Sequence, residues 1–284
     1  SINTLTDSHA EYAIKAMEAG AHVFIEKPLA ATVEDAERVV ATAKRLKRKL
    51  VIGYILRHHP SWVRLIAEAR QLGGPYVFRM NLNQQSSGPT WETHKTLMQA
   101  TSPIVDCGVH YGDVMCQITD AKAVEVRGMG LRLSDEIAPD MYNYGHLQVL
   151  FADGSVGWYE AAWGPMISET AFFVKDVMSP NGAVSIVMDP GAKSDAHETH
   201  TRTDSIRVHR AATGPDGKFT QPDEMLSMQG EPGHDALCAR EQDYVYRAIT
   251  EDMDLTRHMQ DAVESLRICL GADESVRTGK VVKL

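Results

Sequence analysis

The chain has 284 residues, 43% of them apolar and 24% charged, with 29 Lys and Arg against 38 Asp and Glu and a net charge of −9. These are the values of an ordinary globular protein of one large or two ordinary domains. The acidic balance disfavours nucleic-acid partners, and no apolar run approaches the roughly 18–20 residues that cross a bilayer.

The first residues, Ser1 to Leu5, read as the end of a buried strand. The chain opens on Ser rather than Met, which predicts a processed or N-terminally truncated piece. A signal peptide would then be invisible. Ser8 and Glu11 form an S-x-x-E capping box for a helix that ends at Gly20. Its apolar face is Ala10, Ala13, Ile14 and Met17. Ala21 to Ile25 is a short apolar strand. Thr32 caps a second helix with Val33, Ala36, Val39, Val40 and Ala43 inward. That helix ends in the basic run Lys44 to Lys49, which suits the macrodipole and reads as a solvated face. Leu50 to Ile55 is a third strand. Apolar strands alternating with helices predict parallel βαβ units.

The pattern then changes. A helix over Pro60–Leu72 precedes Gly73-Gly74-Pro75 and a strand over Tyr76–Asn83. Gln84 to Thr101 reads as a polar loop containing Trp91. Pro103 to Thr119 is a helix. Strands follow at Ala123–Leu133, Tyr142–Phe151, Ser155–Trp163 and Thr170–Val177, with Asp153-Gly154 as a hairpin turn between two of them. Hairpin-linked strands predict an antiparallel sheet. Asp189 to Gln229 is rich in Gly, Pro, Asp and His, with one strand at Ser205–Arg210. Helices over Asp235–Thr250 and Met259–Val276 close the chain. The predicted fold is α/β: a parallel, Rossmann-type segment over residues 1–57, then an α+β domain with a large, mostly antiparallel open sheet over 58–284.

Four cysteines lie far apart without a C-x-x-C pair. They read as small buried hydrophobes of a reducing compartment, which points to the cytoplasm. Open parallel sheets bind ligands at the carboxyl ends of their strands. That directs attention to Thr4–Thr6, Glu26–Pro28 and Tyr54–Arg57. Glu26-Lys27-Pro28 places a lysine directly after a buried strand, where burial and a carboxylate act oppositely on its charge. Its plain alternative is a surface turn. Asp106 and His110 lie one helical turn apart, with Asp113 at i+7. The carboxylate could orient the imidazole for proton transfer, against the alternative of a solvent-facing pair. His197 and His200 lack a third ligand and read as loop residues, so no metal site is expected. His58-His59 reads as a cap or as packing. Gly128-Met-Gly130 lacks the third glycine and the following helix of a nucleotide fingerprint. Trp158, Tyr159, Trp163 and Phe172 read as sheet packing.

Taken together, the pieces resemble the glucose–fructose oxidoreductase / inositol dehydrogenase (Gfo/Idh/MocA) family. Four ordered features carry the resemblance. They are Thr4-Leu-Thr6-Asp-Ser-His9 followed by Glu26-Lys27-Pro28; Gly53-Tyr54-Ile-Leu-Arg57-His-His-Pro60; Asp106-Cys-Gly108-Val-His110-Tyr-Gly-Asp113; and the C-terminal Glu274-Ser-Val-Arg-Thr-Gly-Lys. The resemblance implies NAD or NADP as cofactor and hydride transfer from a sugar or polyol carbon. It implies Lys27 beside the reacting hydroxyl, His110 as general base and Asp106 binding the polyol. It implies cofactor contacts at Thr4, Thr6, His9, Glu26, Lys27 and Pro28, and a homo-oligomer built through the C-terminal sheet. Arg57, Trp91 and Tyr142 are further candidate substrate contacts.

There are departures. Thr4-Leu5-Thr6 replaces the family's Thr-Pro-Asn, Ile55 replaces an Asn, and Thr101-Ser-Pro103 replaces a glycine-rich run before Asp106. The G-x-G-x-x-G loop and its helix are not in this sequence, a difference of about 60–80 residues. The chain as given is therefore expected to bind the cofactor poorly and to be inactive in isolation. Two other readings stand beside a dehydrogenase: a non-catalytic sugar-binding or regulatory homologue, and a glycoside hydrolase that uses NAD transiently.

Overall fold

The computed structural model describes residues 1–168, 173–188, 191, 193 and 203–284. A 3₁₀ turn at Thr6–Ser8 leads into α1 (His9–Glu18). The capping box does not form. Ser8 has helical rather than extended backbone angles, so its side chain cannot reach forward. Its hydroxyl donates instead to the Leu5 carbonyl at 2.8 Å, and Glu11 pairs with Lys15. β1 (Val23–Ile25) and β2 (Leu50–Ile52) flank α2 (Val33–Leu46), whose N-cap Thr32 accepts from the Asp35 amide at 3.1 Å. The two strands pair in parallel, and Ile2 bridges the far side of Ile25, also in parallel. β2 is shorter than the sequence suggested; residues 55–58 turn into a 3₁₀ helix.

α3 (Pro60–Leu72) and β3 (Val77–Gln85) open the second part. Residues 88–97, expected as loop, form helix α4 (Gly88–Leu97), started by Pro89 in its first turn. The long α5 (Pro103–Thr119) is capped by Ser102 and almost wholly buried. The strands are β4 (Ala123–Leu131), β5 (Tyr144–Phe151), β6 (Val156–Gly164), β7 (Lys175–Ser179), β8 (Gly182–Met188), β9 (Thr203–Arg210) and β10 (Glu224–Ser227). α6 (His234–Thr250), α7 (Thr256–Thr278) and β11 (Val282–Lys283) complete the chain. The sequence reading missed β8, β10 and β11. His197, His200 and residues 170–172 of the strand placed at 170–177, Phe172 among them, lie outside the described residues.

The nine strands form one sheet in the order β10-β9-β8-β7-β3-β6-β5-β4-β11. Only β3 and β6 pair in parallel; the other neighbours are antiparallel. α3, α5 and α7 pack on the sheet, and α7 also reaches the parallel segment. There the Ile52 amide donates to His258 Nε2 at 2.8 Å. α7 lies very close to β4. A Cβ at Gly128 would stand 2.3 Å from the Ala272 carbonyl oxygen, and one at Gly130 would meet Tyr142 and Val276. The Gly128-Met-Gly130 pattern therefore serves helix–sheet packing. Cys107, Cys116 and Cys269 are buried thiols, while Cys238 is half-buried. No helix among the described residues is long and apolar enough to cross a membrane.

Candidate functional site

The carboxyl end of the parallel segment meets the start of α5 across a cavity of about 830 Å³. β1 is buried along its length, so Glu26 and Lys27 emerge where the strand stops. Lys27 Nζ donates to Asp106 Oδ2 at 2.8 Å and to the Asp106 carbonyl at 3.0 Å. Burial opposes both charges, but each partner outweighs it. Lys27 ends above its usual pKa, and Asp106 ends below the usual carboxylate value. The pair is charged at neutral pH.

His110 lies one turn further along α5 and also faces the cavity. Its ring meets Tyr54 edge-on, with centroids 5.7 Å apart. Asp106 bears on His110 through its charge, while the Asp106 carboxylate is engaged by Lys27. The expected three-residue face does not extend to Asp113. That carboxylate takes Arg57 Nη2 at 2.6 Å and Nε at 2.9 Å, and Asp261 takes the same guanidinium at 2.9 Å.

Thr4, Thr6, Glu26 and Lys27 line the cavity, and so do Asp106 and His110. Five other expected site residues lie off this wall. His9 is 1% exposed, with its ring nitrogens 2.8 Å from the Pro28 carbonyl and 3.0 Å from the Thr4 carbonyl. It fastens these two loops together and does not face the cavity; nor does Pro28, which is buried behind the turn. Arg57 is held by two buried carboxylates, which raise its pKa against the effect of burial. Trp91 is 5% exposed and points into the protein, with Lys95 Nζ 5.8 Å from its ring centre. Tyr142 is buried, and its hydroxyl bonds Ser102 at 2.9 Å and also Asp273. None of these five belongs to the cavity wall.

Other residues of the wall escaped the sequence reading. Trp163, assigned to sheet packing, lines the cavity and stacks on His94 at 4.4 Å and 9°. The α4 residues Thr90, Thr93 and Thr96 face the same space at helical spacing. Lys175 on β7 does so too and is 3% exposed. Alternation was its legible signal. Lys175 shares a face with the core residue Val177, while the intervening Asp176 reaches Arg79 Nε at 3.0 Å. His58 packs on Tyr244, and burial with Arg57 and Arg240 lowers its pKa to about 4. Among the described residues, no group of three or more His, Cys, Asp or Glu side chains could hold a metal ion.

Residues 1–54 match the model of the Gfo/Idh/MocA oxidoreductase family, NAD-binding Rossmann fold, and residues 62–169 match that of the Gfo/Idh/MocA C-terminal domain. The chain is 25% identical over 168 residues to scyllo-inositol 2-dehydrogenase (NAD(+)) of Bacillus subtilis, covering 57% of this chain and 47% of that protein. It is 31% identical over 130 residues to inositol 2-dehydrogenase of Salmonella typhimurium, covering 44% and 37% respectively. The matched segments thus span less than half of these relatives. Among solved structures, aldose-aldose oxidoreductase from Caulobacter crescentus complexed with glycerol superposes with a TM-score of 0.76 at 22% identity, covering 99% of this chain and 78% of that one. That likeness shows a shared fold.

Proposed function

Since this chain belongs to the Gfo/Idh/MocA oxidoreductase family, we propose that it supplies the substrate site of an NAD(P)-dependent dehydrogenase acting on a sugar or polyol. The observation that carries this reading is the Lys27–Asp106 ion pair at the wall of a cavity that His110 also faces. Residues 1–57 serve the cofactor and residues 58–284 the substrate. Thr4 and Thr6 offer hydroxyls at the cavity mouth and Glu26 a carboxylate that could accept from a ribose. This donor set fits a dinucleotide's sugar end. The nicotinamide, when bound, supplies the hydride acceptor.

The chain's own residues handle the proton and the charge. His110 takes the proton of the reacting hydroxyl as its C–H bond breaks and a carbonyl forms. The Lys27 ammonium stabilises the developing negative oxygen. Asp106 keeps Lys27 charged and in place, and its remaining lone pairs can accept a substrate hydroxyl. The cavity volume suits a small sugar with room for a substituent.

We infer a homo-oligomer formed through the sheet. Its support is exposed apolar side chains on the sheet, with Val77 and Val156 adjacent in register on β3 and β6 and Met129 and Leu131 further along on β4. The buried thiols of Cys107, Cys116 and Cys269 suit a reducing compartment such as the cytoplasm.

The test is turnover of a polyol and sugar panel, with NAD⁺ and NADP⁺ supplied, by a form of the protein that carries the family's G-x-G-x-x-G segment ahead of this chain. His110→Ala is expected to lower kcat about 10²–10⁴-fold. Unchanged turnover in that variant would remove His110 from the chemistry.

A further inference from the structure

We infer that Gln84 is a specificity-determining residue of the cavity. Its amide N–H groups select a sugar or polyol that presents a hydroxyl oxygen to the β3 side of the wall, against the analogue deoxygenated at that position. The inference rests on reading the cavity as a sugar or polyol site.

Gln84 lies near the end of β3, directly beside Trp163 in the parallel register of β3 and β6. Both line the cavity, as does Leu82 two positions earlier on the same face of β3. Gln84 is 8% exposed and Trp163 1%. Trp163 Nε1 donates to Gln84 Oε1 at 2.9 Å. An indole N–H can only donate, so the amide must turn its carbonyl oxygen toward the ring. That bond fixes which way round the amide sits. Its nitrogen carries two N–H donors, and no acceptor among the described residues takes them. These donors are left for whatever occupies the cavity.

The part of the wall made by α4 has the opposite polarity. Thr93 Oγ1 donates to the Pro89 carbonyl at 3.1 Å, and Thr96 Oγ1 donates to the Glu92 carbonyl at 2.9 Å. Their protons are committed to the helix backbone, so their oxygens are left to accept. A ligand hydroxyl suits such a wall, because it can accept from one neighbour and donate to another. A methylene does neither. A bound ligand displaces water, so a deoxy analogue would leave the Gln84 donors unpaired. Gln84 thus adds a recognition contact to the reacting group of Lys27, Asp106 and His110, which lines the same cavity.

Calorimetric titration of the 284-residue protein tests this. The parents myo-inositol, D-glucose and D-galactose are titrated first, followed by every monodeoxy analogue of the tightest binder. In the wild type, removal of the hydroxyl that meets Gln84 is expected to weaken binding at least about tenfold. Gln84→Met has a similar shape but no N–H. It should weaken the parent by that factor and abolish the penalty at that one position, while penalties at other positions persist. Gln84→Glu keeps an oxygen for Trp163 but offers only acceptors when ionised. It should abolish the same penalty, and it guards against a Met variant that fails to fold. A pattern of penalties unchanged in either folded variant, or no tenfold penalty in the wild type, overturns the inference and leaves the dehydrogenase reading standing. Binding of none of the parents would overturn both.

Discussion

Lys27 Nζ lies 2.8 Å from Asp106 Oδ2, joining the turn after β1 to the first turns of α5 across 79 positions of sequence. Their side chains are only 22% and 13% exposed. Removing one member leaves the other as an uncompensated, largely buried charge. Lys27→Met is therefore expected to cost about 3 kcal/mol. The double variant Lys27→Met/Asp106→Leu should recover much of that loss. Urea denaturation of the four-member cycle measures it. Independent, additive losses would show that the two charges do not depend on each other.

Arg57 gives a sharper contrast between structure and substrate binding. Its guanidinium bridges Asp113 and Asp261, which are 0% and 4% exposed. Arg57→Ala leaves the buried Asp113 carboxylate with only the Gln117 amide as partner, while Asp261 keeps Arg257 at 2.6 Å, and is expected to destabilise the fold by about 3 kcal/mol. A substrate contact would instead raise KM and leave the melting temperature in place. Thermal melts read beside KM separate the two.

Glu241 on α6 is 4% exposed, and burial followed by the charge of Glu26 raises its pKa from 4.5 to about 8. The folded state keeps this proton where the unfolded chain releases it. Its contribution is thus full below the unfolded value of 4.5 and declines as pH rises toward 8. Glu241→Gln should remove that decline. The variant should be more stable than the wild type by a few kcal/mol, roughly, near pH 8, with a smaller gap near pH 5. Urea melts at those two values decide it; parallel curves for the two proteins would refute the assignment.

Gly128 tests the discarded nucleotide motif. A methyl group there would stand 2.3 Å from the Ala272 carbonyl oxygen, which is backbone and cannot rotate away. Gly128→Ala is expected to cost about 1–3 kcal/mol or more. Cofactor affinity should not change, because Gly128 lies on β4 under α7. A variant of native stability with weakened NAD(P) binding would reverse this conclusion.

Much of the fold was legible because its elements carry local signals. Thr32 and Ser102 cap helices that start where the sequence placed them. Asp153-Gly154 turns between β5 and β6, with Gly154 at φ +85°. The failures were also local in cause. α4 has few buried residues and a threonine-rich face, so its period was masked by polarity. The Ser8–Glu11 pattern was present, but the preceding 3₁₀ turn had already fixed the serine's backbone.

The sequence by itself determined the parallel segment, the antiparallel sheet and the residue types available for proton transfer. Periodicity, caps and turns are properties of neighbouring residues. Only the tertiary structure decided which side chains share the cavity. Arg57, Tyr142 and Trp91 are as polar or aromatic as a substrate contact should be, yet Asp261 and Asp273 hold the first two away from the cavity and Trp91 is buried in the core. Lys175 sits in a strand where a lysine suggests a solvated face, yet the sheet carries it to the cavity wall. A buried charge is stable only with the surroundings that fold around it, and those come from residues far away in the chain.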